Sequence, residues 1–361
     1  MKIFNEYKGR TVLITGGLGF IGSNLARRLV ALGDVEVIIL DALVEGQGGN
    51  LHNIHDIQDK ITLHIADLGH DWVVNHLVSG VDFIFNLAGN ISHLDSMNHP
   101  HLDLEHNCST HLTLLDACRN FNPHVKIIFA STRQVYGKPL YLPLDEEHRI
   151  EPPDINAVHK LATEQYHFLY QRLYGTRVSC LRMTNSYGPG QLLHHNRQGF
   201  LGWFIKKAID GEIIELFGEG RQRRDLNFVD DVVDALLLAG ASEKADGQVF
   251  NLGTNEPVSL KNIAEELIAI TGRGSITCVP FPPERQLIDI GNVYSNYKKI
   301  ESLLGWSPKV SWREGLRRTI EYYQNNRDYY LNPNESSISQ FETPVDGIKY
   351  RTAGSTTTGF E

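Results

Sequence analysis

The stretch Thr11-Val-Leu-Ile-Thr15-Gly16-Gly17-Leu18-Gly19-Phe20-Ile21-Gly22 joins a short apolar run to spaced glycines and then to a helical pattern. An apolar run of this kind is expected of a parallel strand covered on both faces. Glycines at 16, 19 and 22 permit a tight turn, let the backbone approach a pyrophosphate, and let the following helix pack on the strand. The start of that helix offers unpaired N–H groups and a positive dipole end to phosphates. Asp41 closes the next apolar run, 19 residues after Gly22. A carboxylate there accepts hydrogen bonds from ribose hydroxyls and repels a 2′-phosphate, which favours NAD over NADP.

Outward from this unit the pattern repeats. Strands are expected at 11–15, 36–40, 61–65, 81–87, 126–130 and 178–183, with helices at 21–33, 71–79, 101–121 and 155–174. Such alternation implies βαβ units and an α/β fold, a Rossmann-type doubly wound parallel sheet. The second half is less regular. It reads as a helix at 199–210, a strand at 213–217, a helix at 229–240, a strand at 249–252 and a helix at 259–271. A last helix opens on the capping box Ser311–Glu314 and runs to about residue 330. The expected division is an NAD-binding domain of 1–184 plus about 223–256, and a smaller α/β substrate-binding lobe of about 185–222 plus 257–330. Residues 331–361 are rich in Ser, Thr and Gly without periodicity and read as a mobile or docking tail.

The chain has 361 residues, 41% hydrophobic and 21% charged, with a net charge of −9. That balance gives neither nucleic acid nor an anionic membrane a basic face to bind. Its four cysteines, Cys108, Cys118, Cys180 and Cys278, form no CxxC pair and read as buried small residues in a reducing compartment. The sixteen histidines show no metal-ligand spacing and read as surface and loop residues, so no metal site is expected. With no signal-like N-terminus and no apolar run of the roughly 20 residues that span a bilayer, the expected location is cytoplasmic.

The spacing of Gly16, Gly19 and Gly22 resembles the extended short-chain dehydrogenase/reductases, the NAD-dependent epimerase/dehydratase family. The resemblance continues in order along the chain to about residue 325. It takes in Ala66-Asp67-Leu68, Asn86-Leu87-Ala88-Gly89, Ser131-Thr132-Arg133-Gln134-Val135-Tyr136-Gly137, Arg182-Met-Thr-Asn185-Ser-Tyr187-Gly-Pro-Gly190 and Arg224-Asp225 before Val229-Asp230-Asp231. The stretch from Asp103 to Asn107 and on through 114–117 resembles the CDP-sugar 2-epimerases of that family. The resemblance implies NAD held by Gly16, Gly19, Phe20, Ile21, Gly22, Asp41, Asp67, Leu68, Leu87, Ala88, Gly89 and Lys160. It implies a nucleoside diphosphate sugar as substrate, with Asn185 and Arg224 at its diphosphate, Arg285 near the nucleotide, and Thr132 and His93 near the sugar. A homodimer built from the helices at 101–121 and 155–174 is also implied. Gly46 to Leu51 resembles loops at the adenosine end.

Family members oxidise a sugar hydroxyl with a Ser/Thr hydroxyl and a Tyr-x-x-x-Lys pair, whose two members share one helical face. Thr132 and Lys160 match, but the tyrosine position holds Asn156. A carboxamide surrenders no proton near neutral pH, so Asn156 can orient a group but cannot serve as the base. Three readings stay open. Another group supplies the base, with His159, Lys160, His93, Tyr136 and Tyr187 as candidates. Alternatively, the chemistry is abstraction beside an existing carbonyl, as in an epimerisation or elimination. In the third reading the protein binds NAD and a nucleotide sugar without turnover. The leading expectation is an NAD-dependent nucleotide-sugar epimerase, ahead of a dehydratase or decarboxylase.

Overall fold

The computed structural model describes residues 2–193, 199–281 and 290–331. Its strands are β1 (Arg10–Thr15), β2 (Val35–Asp41), β3 (Thr62–Ile65), β4 (Phe83–Asn86), β5 (Lys126–Thr132), β6 (Arg177–Met183), β7 (Asn185–Tyr187), β8 (Ile213–Phe217), β9 (Arg223–Arg224), β10 (Leu226–Phe228), β11 (Gln248–Asn251), β12 (Val258–Ser259) and β13 (Ser275–Val279). The first nine helices are α1 (Phe20–Leu32), α2 (Asp71–Val78), α3 (His93–Asn98), α4 (Pro100–Leu104), α5 (Thr110–Phe121), α6 (Ile155–Tyr174), α7 (Phe200–Asp210), α8 (Val229–Ala241) and α9 (Leu260–Thr271).

Seven strands form one parallel sheet in the order β11-β6-β5-β4-β1-β2-β3. The order reverses between β1 and β4, and ligands of such sheets bind at the carboxyl ends beside that reversal. Burial follows the two-residue period of a strand. Val12 and Ile14 enter the core on the α1 and α8 side, whereas Leu13 joins Val74, Leu115 and Val178 on the α2 and α5 side. Both sets are fully buried, which is why these strands read as unbroken apolar runs.

The shorter strands pair outside this sheet: β7 with β10, β9 with β12, and β8 with β13. The core on the α1 side continues without a break into Phe204, Ile214, Leu267 and Leu316 of these elements. Ser311 caps the helix Trp312–Asn325 by accepting from the Glu314 N–H at 3.3 Å.

Several expectations need correction. The helix expected at 101–121 is broken by a π-helical turn, Glu105–Ser109, between α4 and α5. The last helix stops at Asn325, and a separate turn spans Arg327–Tyr330. The helices His93–Asn98 and Lys298–Leu304 and the strand β13 had no expectation at all. Among the histidines, His52, His111, His148 and His167 are buried rather than superficial. Two of them, His111 and His167, face Asn86 Nδ2 at 2.9 and 3.3 Å, and burial pushes both imidazoles below their ordinary pKa. Cys278 is exposed, because β13 is paired on one side only, by β8. Among the described residues no helix is long and apolar enough to cross a membrane, and no cluster of His, Cys, Asp and Glu is arranged to hold a metal ion. Arg285 and the tail from residue 332 lie outside the described residues.

Candidate active site

A cavity of about 410 Å³ opens at the carboxyl ends of β1, β2, β4 and β5. At one end lies the glycine turn. Gly16 has φ +69°, and a Cβ on Gly22 would sit 2.3 Å from the Gly16 carbonyl oxygen. The first bond inside α1 runs from the Ser23 N–H to the Gly19 carbonyl at 3.0 Å. The N–H groups of Phe20, Ile21 and Gly22 precede it and have no intrahelical acceptor. These three residues line the cavity with Gly16 and Gly19.

Asp41, at the end of β2, accepts the Leu18 and Leu43 N–H groups at 2.9 and 2.8 Å. Burial raises its pKa against those two bonds. Asp67 and Leu68 line the same end, as do Gln47, Gly48 and Gly49 of the glycine-rich loop. Asp67 is held in place by accepting the Gly69 N–H at 2.7 Å. Leu87, Ala88 and Gly89 continue from β4 along the cavity, and the N–H groups of Leu87 and Ala88 donate to Thr15 Oγ1 at 3.1 and 3.2 Å.

At the other end Thr132 and Lys160 line the cavity with Asn156, His93, Arg133, Gln134 and Asn185. Thr132 Oγ1 accepts the Gln134 N–H at 3.1 Å, which leaves its own hydrogen to donate. The end of β5 is clamped to α6 by Ser131, which donates to Glu164 Oε2 at 2.7 Å. Glu164 lies one turn beyond Lys160 and also takes Arg182 Nη2 at 2.5 Å, so a buried ion pair fixes the neighbouring strand β6 against the same helix. Lys160 is 7% exposed. Burial lowers its pKa to about 8, against the opposing pull of Asp103 and Cys108. Its Nζ crowds Gly89: a Cβ there would meet Asn107 Oδ1 at 2.5 Å and Lys160 Nζ at 2.7 Å.

The model of the NAD-dependent epimerase/dehydratase family matches residues 12–253. The chain belongs to this family. A putative UDP-glucose 4-epimerase of Methanocaldococcus jannaschii is 32% identical over 316 residues, 87% of this chain and 99% of the relative. UDP-glucuronic acid decarboxylase 1 of Xenopus tropicalis is 29% identical over 341 residues, 92% of this chain and 76% of the relative. Among solved structures, a UDP-glucose 4-epimerase from Thermotoga maritima with UDP-glucose superposes with a TM-score of 0.80 at 31% identity, covering 88% of this chain and 99% of that one. The relatives are thus nucleotide-sugar epimerases and decarboxylases. NAD is the cofactor of the epimerase/dehydratase family, and the glycine turn fits a dinucleotide: a Cβ on Gly16, Gly19 or Gly22 would meet backbone atoms first, so these positions have no room for a side chain.

The family's tyrosine position is occupied here by a fixed amide. Asn156 is 2% exposed, and its Nδ2 donates to the Asn90 carbonyl at 2.9 Å and to Asp103 Oδ1 at 3.0 Å. Asp103 Oδ1 also accepts Asn107 Nδ2 at 3.0 Å, while its Oδ2 lies 2.7 Å from His159 Nδ1. His159 is therefore turned to Asp103 and does not line the cavity. Neither does Tyr136, whose hydroxyl donates to Asn251 Oδ1 at 2.8 Å and whose pKa burial pushes up to about 12. Tyr187 is likewise committed, donating to the Trp312 carbonyl at 3.0 Å. Of the candidate bases, only His93 and Lys160 reach the cavity. Arg224 does not reach it either: its Nη1 donates to the Gly291 carbonyl at 2.5 Å.

Four residues of this end went unassigned by sequence reasoning. Asp103 and Asn107 are four apart in sequence, the one signal available, and the π-helical turn carries Asn107 inward. Arg133 is 9% exposed and donates to Thr184 Oγ1 at 3.1 Å and Asn185 Oδ1 at 3.3 Å, with Asp225 4.0 Å away. Asp154, the N-cap of α6, lies 3.0 Å from His93.

Proposed function

We propose that the protein is an NAD-dependent epimerase of a nucleoside diphosphate sugar, acting through transient oxidation to a keto-sugar. The observation that carries this reading is the shared cavity: the glycine turn at one end, and Thr132 with Lys160 at the other. When bound, NAD supplies the chemistry of taking a hydride from a sugar carbon and returning it. The N–H groups at the start of α1 would hold the pyrophosphate, Asp41 the adenosine ribose, Asp67 and Leu68 the adenine, and Lys160 the nicotinamide ribose. Leu87, Ala88 and Gly89 would floor the cofactor between those ends.

Thr132 would donate its hydroxyl hydrogen to the reacting sugar oxygen. Asn156, with both amide hydrogens occupied, offers that oxygen a fixed neighbour and no group for acid–base transfer. Asn185 would face the substrate's diphosphate. Its own amide donates to the Asp225 carbonyl at 2.9 Å, so its position is set before any ligand arrives. Exposed Leu102, Leu104, Val158, Leu169 and Leu173 on α4 and α6 support a homodimer formed through those helices.

A panel of UDP-, CDP- and dTDP-sugars tests the reading. An epimer detected by NMR, with transient absorbance near 340 nm, is expected. A product one carbon shorter, or one lacking the elements of water, would assign a decarboxylase or a dehydratase instead. Asn156 favours a second reading, a binder without turnover. Saturable nucleotide-sugar binding with no product across the panel would establish that one.

A further inference from the structure

We propose that His93, oriented by Asp154, is the base that accepts the sugar hydroxyl's proton in place of the phenol absent at Asn156. The inference rests on the epimerase reading above and deepens it. Few side chains near the sugar end carry an acid–base group. Asp41 and Asp67 belong to the glycine-turn end. His106 stands one turn before Thr110, whose methyl lies at Gly69 beside Asp67, so it belongs to that end too. Among the described cavity residues this leaves Lys160 and His93.

His93 begins α3, and that helix is tied to the catalytic turn of α6. Ser96, three residues on and therefore on the same helical face, accepts the Asn156 N–H at 3.2 Å. This places His93 beside the first turn of α6, where Asp154 is the N-cap. His93 Nδ1, a buried nitrogen without an aligned hydrogen bond, lies 3.0 Å from Asp154 Oδ2, within ion-pair distance. The imidazole as a whole is 43% exposed and lines the cavity, so Nε2 is on the open side. Asp154 is itself held, accepting the Ala157 N–H at 2.8 Å and Gln134 Nε2 at 3.2 Å. A carboxylate this close to Nδ1 favours the tautomer with its hydrogen there, which would leave the Nε2 lone pair toward the cavity.

The step balances. The sugar O–H bond breaks and its electron pair closes the carbonyl, while the proton passes to His93 Nε2. Bound NAD would take up the hydride of the same carbon and supply it again to the opposite face. His93 Nε2 would hold the proton in between and return it to the oxygen, so the bonds balance. Asp154 stays ionised throughout as a positioning residue and stabilises the imidazolium while it exists.

The test uses the NAD-loaded enzyme and the nucleotide sugar that the wild type turns over. His93→Ala is expected to lower kcat by at least about 100-fold, the range of a lost general base. KM and NAD content should stay close to wild type, and added imidazole should restore part of the rate. Asp154→Asn keeps an N-cap but not the charge, and should cost on the order of 10-fold in kcat. A His93→Ala enzyme at the wild-type rate would overturn the proposal. So would a loss that imidazole does not relieve and that comes with loss of bound NAD or of sugar affinity by calorimetry. Full rate in the His93 variant would leave Lys160 as the remaining described candidate for the base. Failure of the epimerase reading looks different: the wild type itself turns over no sugar, and the proposal falls with it.

Discussion

Lys160 is a cation in a place that disfavours charge, and the cost can be measured without substrate. Its pKa is lowered to about 8 chiefly by burial, whereas an unfolded lysine titrates near 10.4. Below about pH 8 the ammonium is charged in both states, so the cost of burying it is fully present. Between the two values the unfolded chain binds the proton and the folded one does not, so stability rises with pH. Relative to Lys160→Met, the NAD-free wild type should gain about 2 kcal/mol of unfolding free energy between pH ~7.5 and ~10, read by urea denaturation. A parallel pair of curves would show that Lys160 is not desolvated. Asn156→Asp probes the neighbouring network with the opposite sign. It replaces a donor 3.0 Å from Asp103 Oδ1 by a second carboxylate. Two carboxylates at that distance share a proton, which raises a pKa of the pair above its unfolded value. The stability of the variant is therefore kept at low pH and lost as pH rises. The expected penalty is about 3 kcal/mol at pH ~8 and clearly less at pH ~5, again by denaturation.

At the scale of elements, the dinucleotide end depends on how closely α1 approaches β1. A methyl on Gly22 would meet the Gly16 carbonyl oxygen at 2.3 Å and the Gly17 Cα at 2.7 Å, both backbone atoms that cannot rotate aside. Gly22→Ala should therefore cost about 2 kcal/mol of stability. By displacing the start of α1, it should weaken NAD binding by at least ~10-fold in calorimetry. Wild-type affinity in that variant would mean that the pyrophosphate does not rest there. This unit was legible in the sequence because its constraints are local: apolar strand, glycine spacing and the acidic end of β2 lie within residues 10–41. The strands β1, β4, β5 and β6 were legible too, since burial on both faces leaves them largely apolar, whereas the edge strand β3 buries only Leu63. α3 was not, because it is six residues long and mostly polar, yet it brings His93 to the cavity. His159 shows the limit of spacing arguments. Being three residues from Asn156 did not bring it to the cavity, because Asp103, delivered by α4, turns its ring aside. Asp103 and Asn107 meet α6 only through tertiary packing, and the π-helical turn that aims Asn107 has no sequence signature.

The whole molecule presents one face whose chemistry asks for a partner. Along α6, Val158, Leu169 and Leu173 are exposed by 48%, 37% and 63%, and Leu102 and Leu104 of α4 by 46% and 41%. Positions 158, 169 and 173 are spaced by 11 and 4 residues, close to whole helical turns, so they form one stripe. Several apolar side chains exposed on adjoining helices mark a surface suited to an interaction. The same helix carries Asn156 and Lys160 on its buried side. Burying its outer stripe against a second copy would therefore stiffen the element that holds the catalytic groups. If the stripe is the dimer contact, Leu169→Glu with Leu173→Glu should sediment as a monomer while the wild type sediments as a dimer. Far-UV circular dichroism should be unchanged, because both leucines are outside the core clusters. The wild-type Tm should rise with protein concentration, as mass action requires of a dimer that stabilises its own fold, and the variant's should not. A wild type that sediments as a monomer, with a Tm independent of concentration, would leave this stripe without a second copy to cover it.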